Sequence, residues 1–180
     1  MHQQDERFFP LPFQSMPAQL HVETIPAQEW LTINGFRIYA FPQLHPGGSY
    51  GYRIEDDQTC LVYATDAEYK RVDPTSTEAS IKLFQGADLL VFDAQYSLSE
   101  ALDRVDWGHS SALVGAELAW RAAVKRMALF HHDPSSSDEQ IWAAREQAEA
   151  YLVRRYHQHL AGKRAPCQVL VAYDGLHLHL

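Results

Sequence analysis

Apolar strand-like runs alternate with amphipathic helical stretches through the second half of the chain, and this alternation restricts the fold more than any other sequence feature. Runs rich in β-branched and aromatic residues predict strands, and apolar residues at helical spacing predict helices with one side packed on a sheet. The predicted strands are 87–94, 126–130 and 167–173, and the predicted helices are 77–85, 110–124 and 137–161. This alternation is typical of layered α/β proteins in which helices cover a sheet.

The first half of the chain has the pattern of a β-meander. Strand-like runs lie at 21–25, 30–33, 36–41, 50–55 and 59–65. Asn34-Gly35 between two of them is a strong signal for a two-residue hairpin turn. Residues 1–20 contain three prolines and three phenylalanines without a clear period, so we expect an extended N-terminal segment there and one folded domain over 21–180. Later in the chain, Ser136 and Glu139 predict a capping box at the start of the last helix.

Composition restricts the classes of protein that the chain can belong to. Its 180 residues are enough for one domain with its own core. The formal net charge of −8 argues against a general nucleic-acid-binding surface, because such surfaces depend on clustered Lys and Arg. Cys60 and Cys167 lie in apolar runs, as free cysteines of a reducing compartment do. Because no apolar run approaches the roughly 20 residues of a membrane span and no signal-peptide pattern is present, the sequence predicts a cytoplasmic protein.

Three apolar runs end in residue types that bind metals. His45 follows the first run, Asp66 the second, and His131 with His132 the third. Binding sites of open α/β sheets collect where strands end, and two imidazoles with one carboxylate suit Zn²⁺, Mn²⁺ or Fe²⁺. His109 precedes a predicted helix, whose unpaired first N–H groups can receive an anion such as a phosphate. These residues are therefore candidates for one shared site.

Each candidate also has a purely structural interpretation. A single histidine at a strand end is more often an ordinary surface or turn residue, and an aspartate after a threonine commonly caps a turn. Asp93, His132 and Asp133 are interpreted first as supporting or turn residues. The combination favours a site, because turn chemistry alone does not account for four polar loops on one side of one sheet.

Five motifs occur in order within roughly residues 20–180: HPGGSYGYRI, YATDAEY, GADLLVFDAQYS, WGHSSA and LFHHDP. In this order they resemble the C-terminal part of metallo-β-lactamase-fold hydrolases, especially the phosphodiesterase-like branch that includes ribonuclease Z. The resemblance implies an αββα layered sandwich without its N-terminal portion. It also implies that His45 and His131 bind metal, that Asp66 bridges two metals, and that His109 acts on the scissile phosphate or the leaving oxygen. His132 is the alternative to His131.

The same resemblance implies a metal-dependent hydrolase of small-molecule or nucleotide phosphoesters, with Asp66 and His109 as catalytic residues and with one or two ions. Zn²⁺ is the expected metal, and Mn²⁺ and Fe²⁺ are alternatives. The family carries an early His-x-His-x-Asp-His loop that does not occur in this chain. We therefore expect a partial domain that holds at most one ion, and weakly, unless another polypeptide supplies the loop. Two alternatives stay open: a chain completed by a partner or a second copy, and a non-catalytic binding module.

Overall fold

A computed structural model of the protein describes residues 17–19, 21, 23–70, 72–159 and 165–180. These residues form one seven-stranded sheet whose strands lie in sequence order, together with four helices. The strands are β1 (Trp30–Ile33), β2 (Phe36–Gln43), β3 (Ser49–Glu55), β4 (Cys60–Ala64), β5 (Leu89–Asp93), β6 (Arg126–Phe130) and β7 (Gln168–Val171). The helices are α1 (Pro74–Phe84), α2 (Leu98–Asp103), α3 (Ala112–Arg121) and α4 (Asp138–His159). In the described part of the chain, no helix combines the length and apolar character that a membrane crossing needs.

The sheet changes from antiparallel to parallel at β4. Strands β1 to β4 form the predicted meander, and β4 to β7 run parallel to one another because helices carry the chain back between them. The predicted hairpin is confirmed: Ile33 pairs with Phe36, and both Asn34 (φ 50°) and Gly35 (φ 86°) adopt the left-handed conformation that this turn requires. The predicted α/β class is therefore the observed one.

Helices α1, α3 and α4 cover one face of the sheet. The core between the two layers joins fully buried side chains of the strands, such as Val62, Phe92 and Leu129, to Leu118 and Leu152 of the helices. The helix residues come from α3 and α4, and α3 contacts both β5 and β6. Burying this apolar surface is the main source of stability for such a layer.

The other face of the sheet is apolar and partly open. One register row crosses six strands on this face and consists of Ala40, Tyr52, Tyr63, Val91, Ala128 and Leu170. Tyr63 is 37% exposed, and nearby Phe130 is 38% exposed. The described residues thus supply one sheet and one helical layer, in agreement with the αββα layered sandwich without its N-terminal portion that the resemblance implies.

Several local predictions need correction. The run 21–25 is not a strand over its described residues, 21 and 23–25. The predicted capping box at Ser136 is one residue early: the side chains and backbones of Ser137 and Gln140 make the reciprocal hydrogen bonds that open α4. Helix α2 was not predicted. The extended segment predicted for residues 1–20 lies outside the described residues except for 17–19, and the division at residue 20 stays a prediction.

Candidate metal centre

The carboxyl ends of four strands meet at one edge of the sheet. Strand β2 runs antiparallel to β3, and β3 runs antiparallel to β4, so β2 points the same way as the parallel strands β4, β5 and β6. His45, Asp66 and His131 follow three of these strands, and Asp93 is the last residue of β5. The chain direction therefore brings to one edge the residues that the sequence spreads over 87 positions.

Asp66 lies between the two predicted histidine ligands. Its Oδ1 is 3.8 Å from Nε2 of His45 and 3.4 Å from Nε2 of His131. The Asp66 side chain is 39% exposed, so ions can reach it from solvent. Both Asp66 (φ 56°) and His131 (φ 58°) adopt left-handed backbone conformations, which cost free energy in non-glycine residues and cluster at functional sites.

The loop that carries Asp66 is held by side chains of the neighbouring loops. The hydroxyl of Ser49 donates to the backbone carbonyl of Asp66 over 2.6 Å, and the side-chain amide of Gln43 donates to the carbonyl of Thr65 over 2.6 Å. The backbone N–H of Asp66 donates to Oδ2 of Asp93 over 2.9 Å. These contacts fix the backbone that carries Asp66, whose Oδ1 is directed at the two histidines.

His109 completes the cluster. Its ring stacks on that of His131 with centroids 4.8 Å apart and meets the ring of His45 edge-on at 5.1 Å. Ligand atoms of His45, Asp66 and His109 lie within 4.8 Å of one another, and so do those of Asp93, His109 and His131. His109 thus belongs to both groups and lies at the centre of the site.

The protonation of two of the rings follows from their acceptors. Nδ1 of His45 lies 2.8 Å from the carbonyl oxygen of Pro46, and Nδ1 of His109 lies 2.8 Å from Oδ2 of Asp93. Carbonyl and carboxylate oxygens only accept, so Nδ1 carries the proton in both rings. For His45 this leaves the Nε2 lone pair facing Asp66, which is the arrangement that a metal ligand needs.

His132 lies elsewhere. It lines a cavity on the helix-covered side of the sheet together with Ser111 and Gln140. Burial lowers the pKa of His132, which keeps its imidazole neutral. Of the two neighbouring histidines, the structure brings His131 and not His132 to Asp66. Asp133 accepts hydrogen bonds from the backbone and hydroxyl of Ser135, as expected of a turn residue.

Two acidic residues support the site. Asp93 is fully buried and joins His109 to the Asp66 loop, which agrees with its interpretation from the sequence as a supporting residue. Glu68 is 9% exposed and accepts the backbone N–H groups of Asp106 and Gly108, which lie in the loop before His109. The signal for Asp93 is its position at the end of an apolar strand. The only sequence signal for Glu68 is its closeness to Asp66.

The cluster fits a divalent metal ion. Ligand atoms around a tetrahedral Zn²⁺ with bonds of about 2.1 Å are about 3.4 Å apart, close to the 3.4 and 3.8 Å from Asp66 to the two histidines. The described residues form two groups whose ligand atoms all lie within 4.8 Å of one another. Each group contains His109, and neither contains His45 together with His131. Imidazole and carboxylate are also ligands that suit Mn²⁺ and Fe²⁺. Nδ1 of His131 is buried without a hydrogen-bond partner among the described residues, so no protein acceptor there fixes this ring.

Comparison with known proteins identifies the family. Residues 1–132, which are most of the chain, match the family model of the beta-lactamase superfamily domain. The chain therefore belongs to the beta-lactamase superfamily.

Individual relatives agree with this assignment. Ribonuclease Z of Prochlorococcus marinus (strain NATL1A) is 35% identical over 74 residues, which are 41% of this chain and 21% of that protein. The metallo-beta-lactamase fold protein YhfI from Bacillus subtilis superposes with a TM-score of 0.64 at 19% identity, covering 91% of this chain and 58% of YhfI. A diphosphatase of the PhnP family superposes with a TM-score of 0.57 at 19% identity, and the match covers 97% of this chain and 55% of the diphosphatase. The structures show the shared fold, and this chain spans only part of each relative.

Proposed function

We propose that this chain carries the site of a metal-dependent phosphoester hydrolase. The observation that carries the proposal is the position of Asp66 Oδ1 between Nε2 of His45 and Nε2 of His131, with His109 stacked on His131. In this proposal His45, Asp66 and His131 hold one or two divalent ions. Zn²⁺ is the first choice because it favours imidazole and carboxylate ligands, and Mn²⁺ and Fe²⁺ are alternatives.

The phosphoester substrate is supported by the relatives and by the site. One sequence relative is a ribonuclease and one fold neighbour is a diphosphatase. When bound, a divalent ion activates water and offsets the negative charge of a phosphate. The chain has a net charge of −8, so attraction of an anionic substrate depends on such a local positive centre.

The side chains of the cluster have separate roles in this proposal. Asp66 and the two flanking histidines position the ion. His109 is the general acid in its imidazolium form: Nδ1–H donates to Asp93, and the second proton, on Nε2, passes to the leaving oxygen and leaves the ring neutral. The buried Asp93 orients the ring and prevents it from turning its Nδ1 into the site.

Zinc binding tests the proposal directly. In calorimetric titrations of the purified chain with Zn²⁺, we expect His131→Ala to weaken binding at least about tenfold, the usual lower limit for losing a component of a metal site. The same variant should lose hydrolysis of bis(p-nitrophenyl) phosphate. His132→Ala is the matched control from the next position, and exposed His177→Ala is a second control. Equal zinc affinity in the wild type and in His131→Ala would contradict the metal assignment.

A second candidate role, binding a complementing polypeptide or a second copy of this chain, is favoured by the open sheet face. Tyr63 and Phe130 are more than a third exposed there, and the face of a sheet gains stability when another layer covers it. We expect Tyr63→Lys to shift any self-association measured by light scattering towards monomer. A wild-type chain that stays monomeric at all concentrations would exclude the second-copy version.

We also propose that the protein works in a reducing compartment such as the cytoplasm. Cys60 is a buried free cysteine, and free thiols persist in a reducing compartment such as the cytoplasm. We expect thiol titration of protein taken directly from cells to show that both cysteines react once the chain is unfolded. Recovery of either cysteine in a disulfide would contradict it.

A further inference from the structure

Trp107 lies in a loop whose backbone is fixed by hydrogen bonds at the residue before it and at the residue after it. The two oxygens of the Glu68 carboxylate accept the backbone N–H groups that flank it: that of Asp106 over 3.0 Å and that of Gly108 over 3.1 Å. Glu68 is nearly buried, and Lys70 forms an ion pair with Asp106. The loop is therefore fixed at the positions on either side of one side chain.

The Trp107 side chain, which lies between the two residues bound by Glu68, is exposed. Trp107 is 61% exposed, so its own burial contributes little to folding. The backbone beside it is strained, because Asp106 adopts a left-handed conformation with φ 73°. A buried carboxylate and a strained residue thus maintain a large aromatic side chain in contact with solvent, and the folded core does not explain this arrangement.

The Trp107 loop borders the candidate metal centre. A Cβ added at Gly108 would lie 2.5 Å from the ring of His45, so the loop backbone packs directly on that ring. The guanidinium of Arg104 lies 5.7 Å from the Trp107 ring and 4.7 Å from the ring of Tyr96. The Tyr96 ring in turn meets the His109 ring edge-on at 5.8 Å. The exposed Trp107 ring is therefore linked to the histidine cluster through Arg104 and Tyr96.

The positive charge of Arg104 is only loosely neutralised by its acidic neighbours. Its nitrogens lie 3.8 Å from both Glu100 and Asp133, which is too long for strong hydrogen bonds. The side chain is 35% exposed. It can therefore turn donors towards an anionic ligand without first breaking a short ion pair.

We propose that Trp107 determines substrate specificity by stacking on the base of a nucleoside phosphoester, with Arg104 beside it contacting the phosphate backbone. The inference rests on the proposed function, because it uses the histidine cluster as the place of the reacting phosphate. Bases stack on exposed aromatic side chains with little regard to sequence, and arginine adds charge to such contacts. The substrate class is a nucleoside phosphoester, and a phosphoester without a base would lose this contact.

Tryptophan fluorescence provides a test that does not depend on hydrolysis. AMP and ribose 5-phosphate are titrated into the purified chain, because the two carry the same phosphate but only AMP carries a base. We expect saturable quenching by AMP and a roughly tenfold weaker interaction with ribose 5-phosphate, the effect of losing one stacked base. Trp107→Ala should remove the quenching, and Trp107→Phe should retain part of the affinity. Trp142→Ala, at a 51% exposed residue on α4, is the matched control and should retain it.

The outcomes separate this inference from the proposed function. Equal affinities for AMP and ribose 5-phosphate, or undiminished AMP binding in a folded Trp107→Ala variant, would overturn the role of Trp107, even where His131→Ala abolishes hydrolysis. Conversely, AMP binding that depends on Trp107 supports base stacking. If the wild-type chain then hydrolyses no phosphoester, the proposed hydrolase function is rejected and the role of Trp107 in binding is not. Circular dichroism of each variant checks that the chain is folded.

Discussion

The carboxylate of Asp93 accepts a hydrogen bond from Nδ1 of His109 over 2.8 Å, and no part of Asp93 is exposed to solvent. The same carboxylate accepts the backbone N–H groups of Asp66, Gln95 and Ser110. One buried side chain therefore ties the loop of a candidate metal ligand to the loop of the candidate general acid. Its removal should affect stability and chemistry together.

Asp93→Asn tests this relationship. The side-chain amide keeps only one acceptor oxygen, so its NH₂ group faces donors on one side whichever way it turns. Leaving buried N–H groups without acceptors costs about 1–3 kcal/mol, and we expect the free energy of unfolding in urea to fall by that amount. Phosphodiester hydrolysis should fall at least about tenfold through kcat, since loss of a positioned general acid costs about 10²–10⁴-fold. Asp57→Asn, at an exposed turn, should change neither quantity.

Gly108→Ala tests the contact between the Trp107 loop and the candidate ligand His45. The added methyl group would lie 2.5 Å from the His45 ring and from Pro46, so the ring must move. We expect weaker Zn²⁺ binding in calorimetry. Gly86→Ala is the control, because Gly86 also has a positive φ but no atom within 4 Å of an added Cβ. Equal zinc affinities in these two variants would show that His45 is not displaced.

Gly115→Ala tests the packing of α3 on the sheet. A Cβ at this position would lie 2.5 Å from the ring of Phe92, which is fully buried. Alanine favours helices over glycine by about 1 kcal/mol, but overpacking a core costs about 1–3 kcal/mol. Because the clash is with a buried ring, we expect net destabilisation and a lower Tm in thermal unfolding followed by circular dichroism. An unchanged or raised Tm would show that Phe92 can move at little cost.

Asp73→Ala tests the cap of α1. The Asp73 side chain accepts the backbone N–H groups of Thr75 and Ser76, and Pro74 starts the helix. Losing such a cap costs about 1 kcal/mol, which should appear as a lower urea midpoint with an unchanged slope. Asp73→Asn retains an acceptor oxygen and should lose much less. Equal losses in the two variants would attribute the effect to charge and not to capping.

The candidate ligands could be selected from the sequence because they directly follow apolar strands. His45, Asp66 and His131 could be selected from the sequence by that position, and parallel strand direction then brings them to one edge. Asp93 was selected only as a supporting residue, because its partner His109 is 16 positions away. Glu68 and Trp107 were missed. The Glu68 carboxylate reaches the Trp107 loop across about 40 positions of sequence, and no local pattern encodes such a contact.

Local boundaries were less predictable than element types. The capping box of α4 was placed one residue early because Ser136 and Ser137 both have a suitable acidic or amide residue three positions later. The run 21–25 has strand-like composition, but its described residues make no strand. Strand propensity is weak without a neighbouring strand to pair with.

The sequence by itself determined the order of strands β1 to β7 and of helices α1, α3 and α4, the Asn34-Gly35 hairpin and the kinds of side chain that follow each strand, because these depend on periodicity and on local backbone preferences. Only the tertiary structure decided that His131 and not its neighbour faces Asp66, that Asp93 holds His109, and that one face of the sheet is partly open over the described residues. These features depend on contacts between residues far apart in the chain, whose burial and hydrogen bonds exist only once the layers have packed.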